Sequence, residues 1–184
     1  MKQFKGRVIV PGTCTAEALV SHGGFNTLAS YQMAMMFGHK KVKCGDQNNP
    51  DLYKQSMLGK ALCLPQTIGS TTGGMVLYTV CSRHLQPACM LFSMPIDSLA
   101  ASGAILADVW TDAKMPVVDQ LGDEFLEYVK TGMTVTVKDD GIVEVEYNAA
   151  SPMTQMSWGM FAIRGLESPT GTRRLATPSP GRGR

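Results

Sequence analysis

Continuous apolar runs alternate with amphipathic segments through the centre of the chain. The runs are short and rich in Leu, Val, Met and Cys, which is typical of strands buried in a parallel sheet. The segments between them spread their apolar residues in the manner of half-buried helices. In chain order the pattern predicts a strand at 59–64, a helix at 72–84, a strand at 88–94, a helix at 97–110 and a strand at 115–120. This alternation predicts parallel β-α-β units over residues 59–120.

The flanking regions predict further elements. They are a strand at 5–10, a segment at 16–21 that fits either a strand or a helix, a short helix at 29–37, a helix at 123–132 and a hairpin at 133–146. Pro11-Gly12 ends the first strand, and Gly132 is expected to end the last helix. Asp139-Asp140-Gly141 supplies the turn of the hairpin.

The composition suits one domain followed by a C-terminal extension. The chain has 184 residues and a hydrophobic fraction of 44%, which favours a globular fold. The character of the sequence changes at residue 151, and residues 167–184 consist mainly of Pro, Gly, Ser, Thr and Arg. We therefore predict a domain at 1–150 and an extension at 151–184 that is disordered from about residue 166.

The charge and the apolar runs exclude several classes of protein. Lys and Arg number 17 against 15 Asp and Glu, and much of the basic excess lies in the last dozen residues. The predicted domain therefore offers no basic face for a nucleic acid. The first residues do not resemble a signal peptide, and no apolar run has the length of a membrane span. We predict a cytoplasmic protein that binds neither a membrane nor a nucleic acid.

The five cysteines do not predict a metal site or disulfides. Their number is odd and their spacing is wide, unlike that of a zinc site. Cys63, Cys81 and Cys89 lie inside apolar runs, where cysteine behaves as a small hydrophobic residue. Cys44 lies in a polar stretch and is the cysteine expected to be most exposed.

A turn rich in hydroxyl groups follows the predicted strand at 59–64. It reads Gly69-Ser70-Thr71-Thr72-Gly73-Gly74 and leads into the helix at 72–84. Ligands of parallel β-α units gather beyond the carboxyl ends of the strands, and a helix N-terminus favours an anion. The alternative is that a Ser or Thr here serves only as the helix N-cap. The turn matches neither the P-loop nor the dinucleotide-binding glycine pattern.

Four motifs in order extend the signal beyond this turn. They are "GRVIVPG", "GKALCLPQTIGSTTGGMVLYTV", "PACMLFSMPIDSLAASGAILADV" and "MPVVDQ". Together they resemble the small subunit of the aconitase X group, over about residues 5–120. The resemblance implies an α/β fold, a swivelling β/β/α domain like the mobile domain of aconitase.

The resemblance also implies a function in a complex. The chain would be the small subunit of a hydro-lyase that is active only with a large catalytic subunit, in a heterodimer or a higher assembly. That subunit would hold iron or an iron–sulfur cluster, with no metal bound by this chain alone. Ser70 would be the general base, and Gly69, Thr71, Thr72 and Gly73 would bind the substrate.

The substrate that we predict is a small hydroxy acid. The resemblance allows cis-3-hydroxy-L-proline or mevalonate 5-phosphate, and the lack of an obvious basic cluster for a phosphate favours hydroxyproline. The alternative to an enzyme is a non-catalytic swivelling module that binds or docks an anion.

Overall fold

A computed structural model describes residues 1–37 and 42–147. Its strands are β1 (Lys2–Lys5), β2 (Arg7–Val10), β3 (Cys14–Val20), β4 (Phe25–Asn26), β5 (Ala61–Leu64), β6 (Thr67–Ile68), β7 (Cys89–Phe92), β8 (Val117–Asp119), β9 (Thr134–Val137) and β10 (Ile142–Glu146). Its helices are α1 (Thr27–Phe37), α2 (Gly73–Ser82), α3 (Ser98–Trp110) and α4 (Asp123–Tyr128). The predicted extension at 151–184 lies outside the described residues and stays a prediction.

Eight strands form one sheet in the order β1-β10-β9-β3-β5-β7-β8-β2. The four adjacent strands β3, β5, β7 and β8 run parallel to one another, which confirms the predicted β-α-β units. The other pairings in this sheet are antiparallel, including the predicted hairpin of β9 and β10. The strands β4 and β6 form a separate two-stranded parallel sheet.

The two outermost strands of the sheet are consecutive in the chain. Gly6 alone separates β1 from β2, so the sheet curls until its two ends meet at this glycine. The Gly6 N–H donates to the Gly141 carbonyl at 3.0 Å, and a Cβ on Gly6 would lie 2.5 Å from the Asp119 carbonyl oxygen. The predicted strand at 5–10 is therefore confirmed over Arg7–Val10, whereas Lys5 belongs to β1 because the close contact at Gly6 separates the two strands.

The curled sheet separates two hydrophobic cores. Inside the curl, Phe4, Leu91, Phe125 and Val135 pack together, with α4 contributing Phe125. On the outer side of the parallel strands, a second core packs the sheet against α1, α2 and α3. Two layers of strand and one of helix give the predicted β/β/α arrangement.

A buried carboxylate joins the edge strand β2 to the parallel strands. Arg7 donates to both oxygens of Asp119, at 2.9 and 2.6 Å, and the Ile96 N–H donates to the same carboxylate at 2.9 Å. Asp119 has no exposed surface. Arg7 is thus engaged in a structural ion pair, the ordinary role for an arginine beside a carboxylate.

Other sequence expectations are corrected by the fold. The segment at 16–21, which fitted either a strand or a helix, is a strand, since its residues 16–20 lie in β3. Helix α4 ends at Tyr128 because Val129 is extended and fully buried, and Gly132 lies in the next turn with φ +94°. The expectation that Gly132 ends this helix is therefore wrong.

The expectation of an exposed Cys44 is wrong, since bridges to the 53–56 segment leave it 1% exposed. In the part of the chain that the structure describes, no helix is long and apolar enough to cross a membrane.

Candidate active site

The carboxyl ends of the parallel strands carry the loops that form the candidate site. The loop after β5 meets the loops after β3 and β7 around a cavity of about 200 Å³. The cavity is lined by Thr27, Thr67, Ile68, Gly69, Ser70, Gly73, Asp97, Leu99 and Ala100. Three of the five predicted site residues, Gly69, Ser70 and Gly73, are therefore brought to one cavity.

The loop after β5 is held by a short parallel pairing. Strand β6 pairs with β4, so that Thr67 lies opposite Phe25 and Ile68 opposite Asn26. Gly69 follows with φ +111°, a conformation that side-chain-bearing residues rarely adopt, and a Cβ there would lie 3.1 Å from the Asn26 side chain. The same Asn26 accepts a hydrogen bond from the Ala29 N–H at 3.1 Å and so begins α1. Glycine at 69 lets the chain reverse against Asn26 and present Ser70.

The Ser70 hydroxyl is exposed and accepts two hydrogen bonds from Thr72. The Thr72 N–H lies 3.3 Å and the Thr72 hydroxyl 3.2 Å from Ser70 Oγ. Both donors point at the oxygen on which negative charge would develop if the hydroxyl lost its proton. Thr72 is the N-cap residue of α2, yet its side chain makes no cap hydrogen bond. The bond from the Thr72 N–H, two residues along the chain, is also the bond that a capping serine accepts, so the geometry agrees with a cap role for Ser70 as well as with a role in an anion site.

Helix α2 begins directly behind the Ser70 hydroxyl. The Gly73 N–H donates to the Ser70 carbonyl at 3.0 Å and closes the turn. The first N–H groups of a helix lack intrahelical acceptors, and the helix dipole places partial positive charge there. A Cβ on Gly73 would lie 2.9 Å from the Thr27 hydroxyl, so glycine allows α2 to begin against α1. The site thus has the anion-favouring helix N-terminus that the sequence predicted.

The two remaining predicted residues are placed differently. Thr71 lines a neighbouring groove between α2 and α3, not the 200 Å³ cavity. Thr72 lines neither and contacts Ser70 instead. Direct substrate binding therefore remains a prediction for Thr71, and the geometry of Thr72 is that of a residue that acts through Ser70.

Two residues that the sequence did not single out complete the cavity. Asp97 caps α3 through Oδ1, which accepts from the N–H groups of Leu99 and Ala100 at 2.9 and 3.0 Å. Its other oxygen accepts a hydrogen bond from the Thr67 hydroxyl. In the sequence, Asp97 is distinguished only as the first residue of the predicted helix at 97–110. Its place after β7 could have pointed to the site, because loops after neighbouring parallel strands meet at one edge.

Residues 3–145 match the family described as the aconitase X swivel domain. The match spans both sheet halves and all four helices of the described structure. The chain belongs to the aconitase X swivel-domain family. The resemblance inferred from the four motifs is therefore confirmed, together with the swivelling β/β/α fold.

Curated relatives of this aconitase X swivel domain are archaeal enzyme subunits. A phosphomevalonate dehydratase small subunit from Methanocella arvoryzae is 31% identical over 144 residues, covering 78% of this chain and 98% of the relative. A protein of the same name from Methanosarcina mazei is 28% identical over 144 residues, covering 78% of this chain and 90% of the relative. The residues beyond the matched region form an extension relative to these proteins.

A solved aconitase X has the same fold. The holo-form crystal structure from Thermococcus kodakaraensis superposes with a TM-score of 0.67 at 29% identity, covering 80% of this chain and 100% of that chain. The similarity therefore covers the whole of that chain and 80% of this one.

A metal site needs several ligating side chains close together. Within residues 1–37 and 42–147, no group of three or more His, Cys, Asp or Glu side chains could bind one. Cys44, Cys63, Cys81 and Cys89 are buried, and burial raises the pKa of Cys81 to about 11. The described residues do not fit an iron or iron–sulfur group, and the assignment of that group to a large subunit stays a prediction.

Proposed function

We propose that this chain is the small subunit of an aconitase X-type hydro-lyase that dehydrates mevalonate 5-phosphate together with a large subunit. The observation that carries the proposal is the exposed Ser70 hydroxyl, which accepts two Thr72 hydrogen bonds at the start of α2 in a swivel domain of this family. The names of the curated relatives support the substrate and the need for a second subunit.

Dehydration requires a base for a carbon-bound proton. Ser70 first loses its own hydroxyl proton to solvent, and its alkoxide then takes the proton from one substrate carbon. The electrons of that C–H bond form the double bond, and hydroxide leaves the adjacent carbon, so that the proton on Ser70 and the released hydroxide together make up the water that is lost. A serine oxygen is a poor base in water because its anion is too costly there. The two Thr72 donors and the N-terminus of α2 lower that cost by placing positive partial charge around the oxygen.

Closure by a large subunit supplies what this chain lacks. Ser70 is exposed, so bulk water reaches its hydroxyl in the isolated domain. A subunit that covers the cavity excludes this water and strengthens the hydrogen bonds to an anionic oxygen. We therefore expect the small subunit to have no dehydratase activity when the large subunit is absent, whether in the cytoplasm of a cell or as a purified protein in solution.

Reconstitution with two substrates tests the proposal. The purified chain is mixed with the large aconitase X subunit of the same organism, and loss of mevalonate 5-phosphate and formation of the dehydrated acid are followed by mass spectrometry. We expect turnover only when both subunits are present. An assembled complex that leaves mevalonate 5-phosphate unchanged would overturn the substrate assignment.

The cavity supports cis-3-hydroxy-L-proline as a second candidate substrate. Among the described residues that line it, none is Lys or Arg, and Asp97 contributes a carboxylate. A zwitterion with a cationic nitrogen suits this lining better than a phosphate dianion, unless basic residues of the large subunit face the phosphate. Turnover of hydroxyproline, but not of mevalonate 5-phosphate, by the same complex would favour this candidate.

A non-catalytic swivelling module is the remaining alternative. In that case the isolated chain binds a carboxylate or phosphate at the α2 N-terminus, and calorimetry with inorganic phosphate detects it. Binding that appears only after the large subunit is added counts against this alternative and favours the enzyme.

A further inference from the structure

Helices α2 and α3 expose an unusually apolar face. Met75, Val109 and Trp110 are 73%, 67% and 68% exposed, respectively. Between the two helices runs a groove of about 370 Å³, here called the α2–α3 groove, whose lining includes Thr71, Met75, Tyr78, Leu99, Leu106 and Trp110. Large apolar patches on a protein surface mark sites that contact a partner.

The same face is nearly free of charge. Asp108 is the only charged residue in α2 and α3, and it is paired with Lys114 at 2.9 Å. A helix whose outer face meets water normally carries charged or polar residues there. Depletion of charge combined with exposed aromatic and Met side chains is the composition of an interface core. The composition therefore indicates a face that a protein covers.

The groove is continuous with the candidate active site. Leu99 lines both the groove and the 200 Å³ cavity, and Thr71 of the groove directly follows Ser70. A subunit that closes over Ser70 must therefore reach the near end of the groove. A second copy of this chain in the groove would occupy the approach to Ser70 and hinder that closure.

We propose that the α2–α3 groove is the docking surface for the large subunit. The inference rests on the proposed function, since it takes the partner from there and adds the surface that holds it. Met75 and Trp110 are its main anchors, because both project apolar surface beside the groove and neither is needed for the core of the domain.

The two helices that form the groove are in close contact with each other. Tyr78 and Trp110 form an edge-to-face aromatic pair with ring centroids 6.3 Å apart. Beneath them, α2 and α3 touch through backbone at Gly74 and Gly103, where a Cβ on Gly103 would lie 2.0 Å from the Gly74 oxygen. The backbone contact sets the spacing of the two helices, whereas the exposed Met75 side chain still has to be ordered when a partner binds.

Affinity measurements on charged variants test the docking surface. The large subunit of the same organism is immobilised, and binding of wild type, Met75→Glu and Trp110→Glu is measured by biolayer interferometry. We expect each substitution to weaken binding at least tenfold, which corresponds to about 1.4 kcal/mol. The control is Leu58→Glu, because Leu58 is 39% exposed and precedes β5 at the end of the strand remote from Ser70. Its affinity should match that of wild type.

A second measurement needs no variant. Hydrogen peroxide oxidises exposed methionines, and peptide mass spectrometry reports the rate for Met75 and for Met1, both 73% exposed. We expect the large subunit to protect Met75 and to leave Met1 reactive.

The outcomes separate this inference from the proposed function. A complex that dehydrates its substrate, yet binds both variants like wild type and leaves Met75 reactive, overturns the docking surface alone. If wild type binds no large subunit, both proposals are overturned. If sedimentation shows that this chain forms a homodimer that Trp110→Glu dissolves, while affinity for the large subunit is unchanged, the groove belongs to the second copy and the inference is wrong.

Discussion

Replacing Gly103 with Ala tests the contact that sets the distance between α2 and α3. The added Cβ would lie 2.0 Å from the Gly74 oxygen and 2.5 Å from the Gly74 Cα, whereas ordinary contact begins at 3.4 Å. The obstacle is backbone on both sides, so no side-chain rotation relieves it. The helices must separate locally by about 1 Å or more for the variant to fold.

The expected cost follows from two opposing effects. Overpacking of a tightly packed interior costs about 1–3 kcal/mol, and a backbone obstacle favours the upper end. The higher helix propensity of alanine compared with glycine offsets up to about 1 kcal/mol of this loss in the free energy of unfolding. We therefore expect the free energy of unfolding to fall by about 2 kcal/mol, with a fall of roughly 4–8 °C in Tm for a protein of this size.

Urea unfolding and calorimetry of the isolated chain measure this loss. The matched control is Ser102→Ala, since Ser102 is the exposed neighbour of Gly103 in α3, and its change should stay within about 0.5 kcal/mol. A Gly103→Ala variant as stable as wild type would show that α2 and α3 are not in backbone contact at this crossing. The position of α2 behind Ser70 would then lack its explanation.

Three further predictions concern reactivity, pH and the second helix cap. Iodoacetamide should alkylate Cys14 before the other cysteines. The reason is a hydrogen bond with Cys89, which lowers the pKa of the half-buried Cys14 and raises the pKa of the fully buried Cys89. Peptide mapping that finds any other cysteine labelled faster would refute this. The hydrogen bond from Lys138 lowers the pKa of Glu144 below its ordinary 4.5, so the ionised pair stabilises the fold above that pH and the contribution is lost on acidification. Tm measured from pH 7 to pH 3 should therefore fall less for Glu144→Gln than for wild type, and parallel curves would contradict the assignment. Asp97→Ala should lower the free energy of unfolding by about 1 kcal/mol through loss of the α3 cap, whereas Asp97→Asn should retain most of it; equal losses in chemical denaturation would argue against capping.

The parallel strands could be predicted because burial on both faces leaves a simple mark in the sequence. All four residues of β5 and of β7 are buried, so each strand is a continuous apolar run. Strand β3 could not be assigned, because its first half pairs with β9 and its second half with β5. Its residues accordingly alternate in burial up to Glu17 and are all buried from Ala18 onward. The alternating pattern and the continuously buried pattern are each too short within seven residues to identify the segment as a strand or as a helix.

Only the part of the candidate site that is formed by one continuous segment of the chain could be predicted from the sequence. The turn at Ser70 lies between a clear strand and a clear helix, so its place at the sheet edge followed from the sequence. Thr67 and Asn26 escaped notice because β4 and β6 have two residues each, too few for any periodicity. Cys44 was misjudged for a related reason, since its loop is polar in sequence and packs through isolated bridges that no local pattern reveals.

Ser70 is the proton acceptor in the proposed reaction, and one rate tests this role most directly. The Ser70→Ala variant is assembled with the large subunit, and the rate of dehydration at saturating substrate is compared with wild type. The control is Ser82→Ala, an exposed serine at the far end of α2. The account predicts a loss of about 10²–10⁴-fold for Ser70→Ala, with unchanged subunit affinity and a normal rate for Ser82→Ala. A Ser70→Ala complex that dehydrates its substrate at nearly the wild-type rate would contradict it.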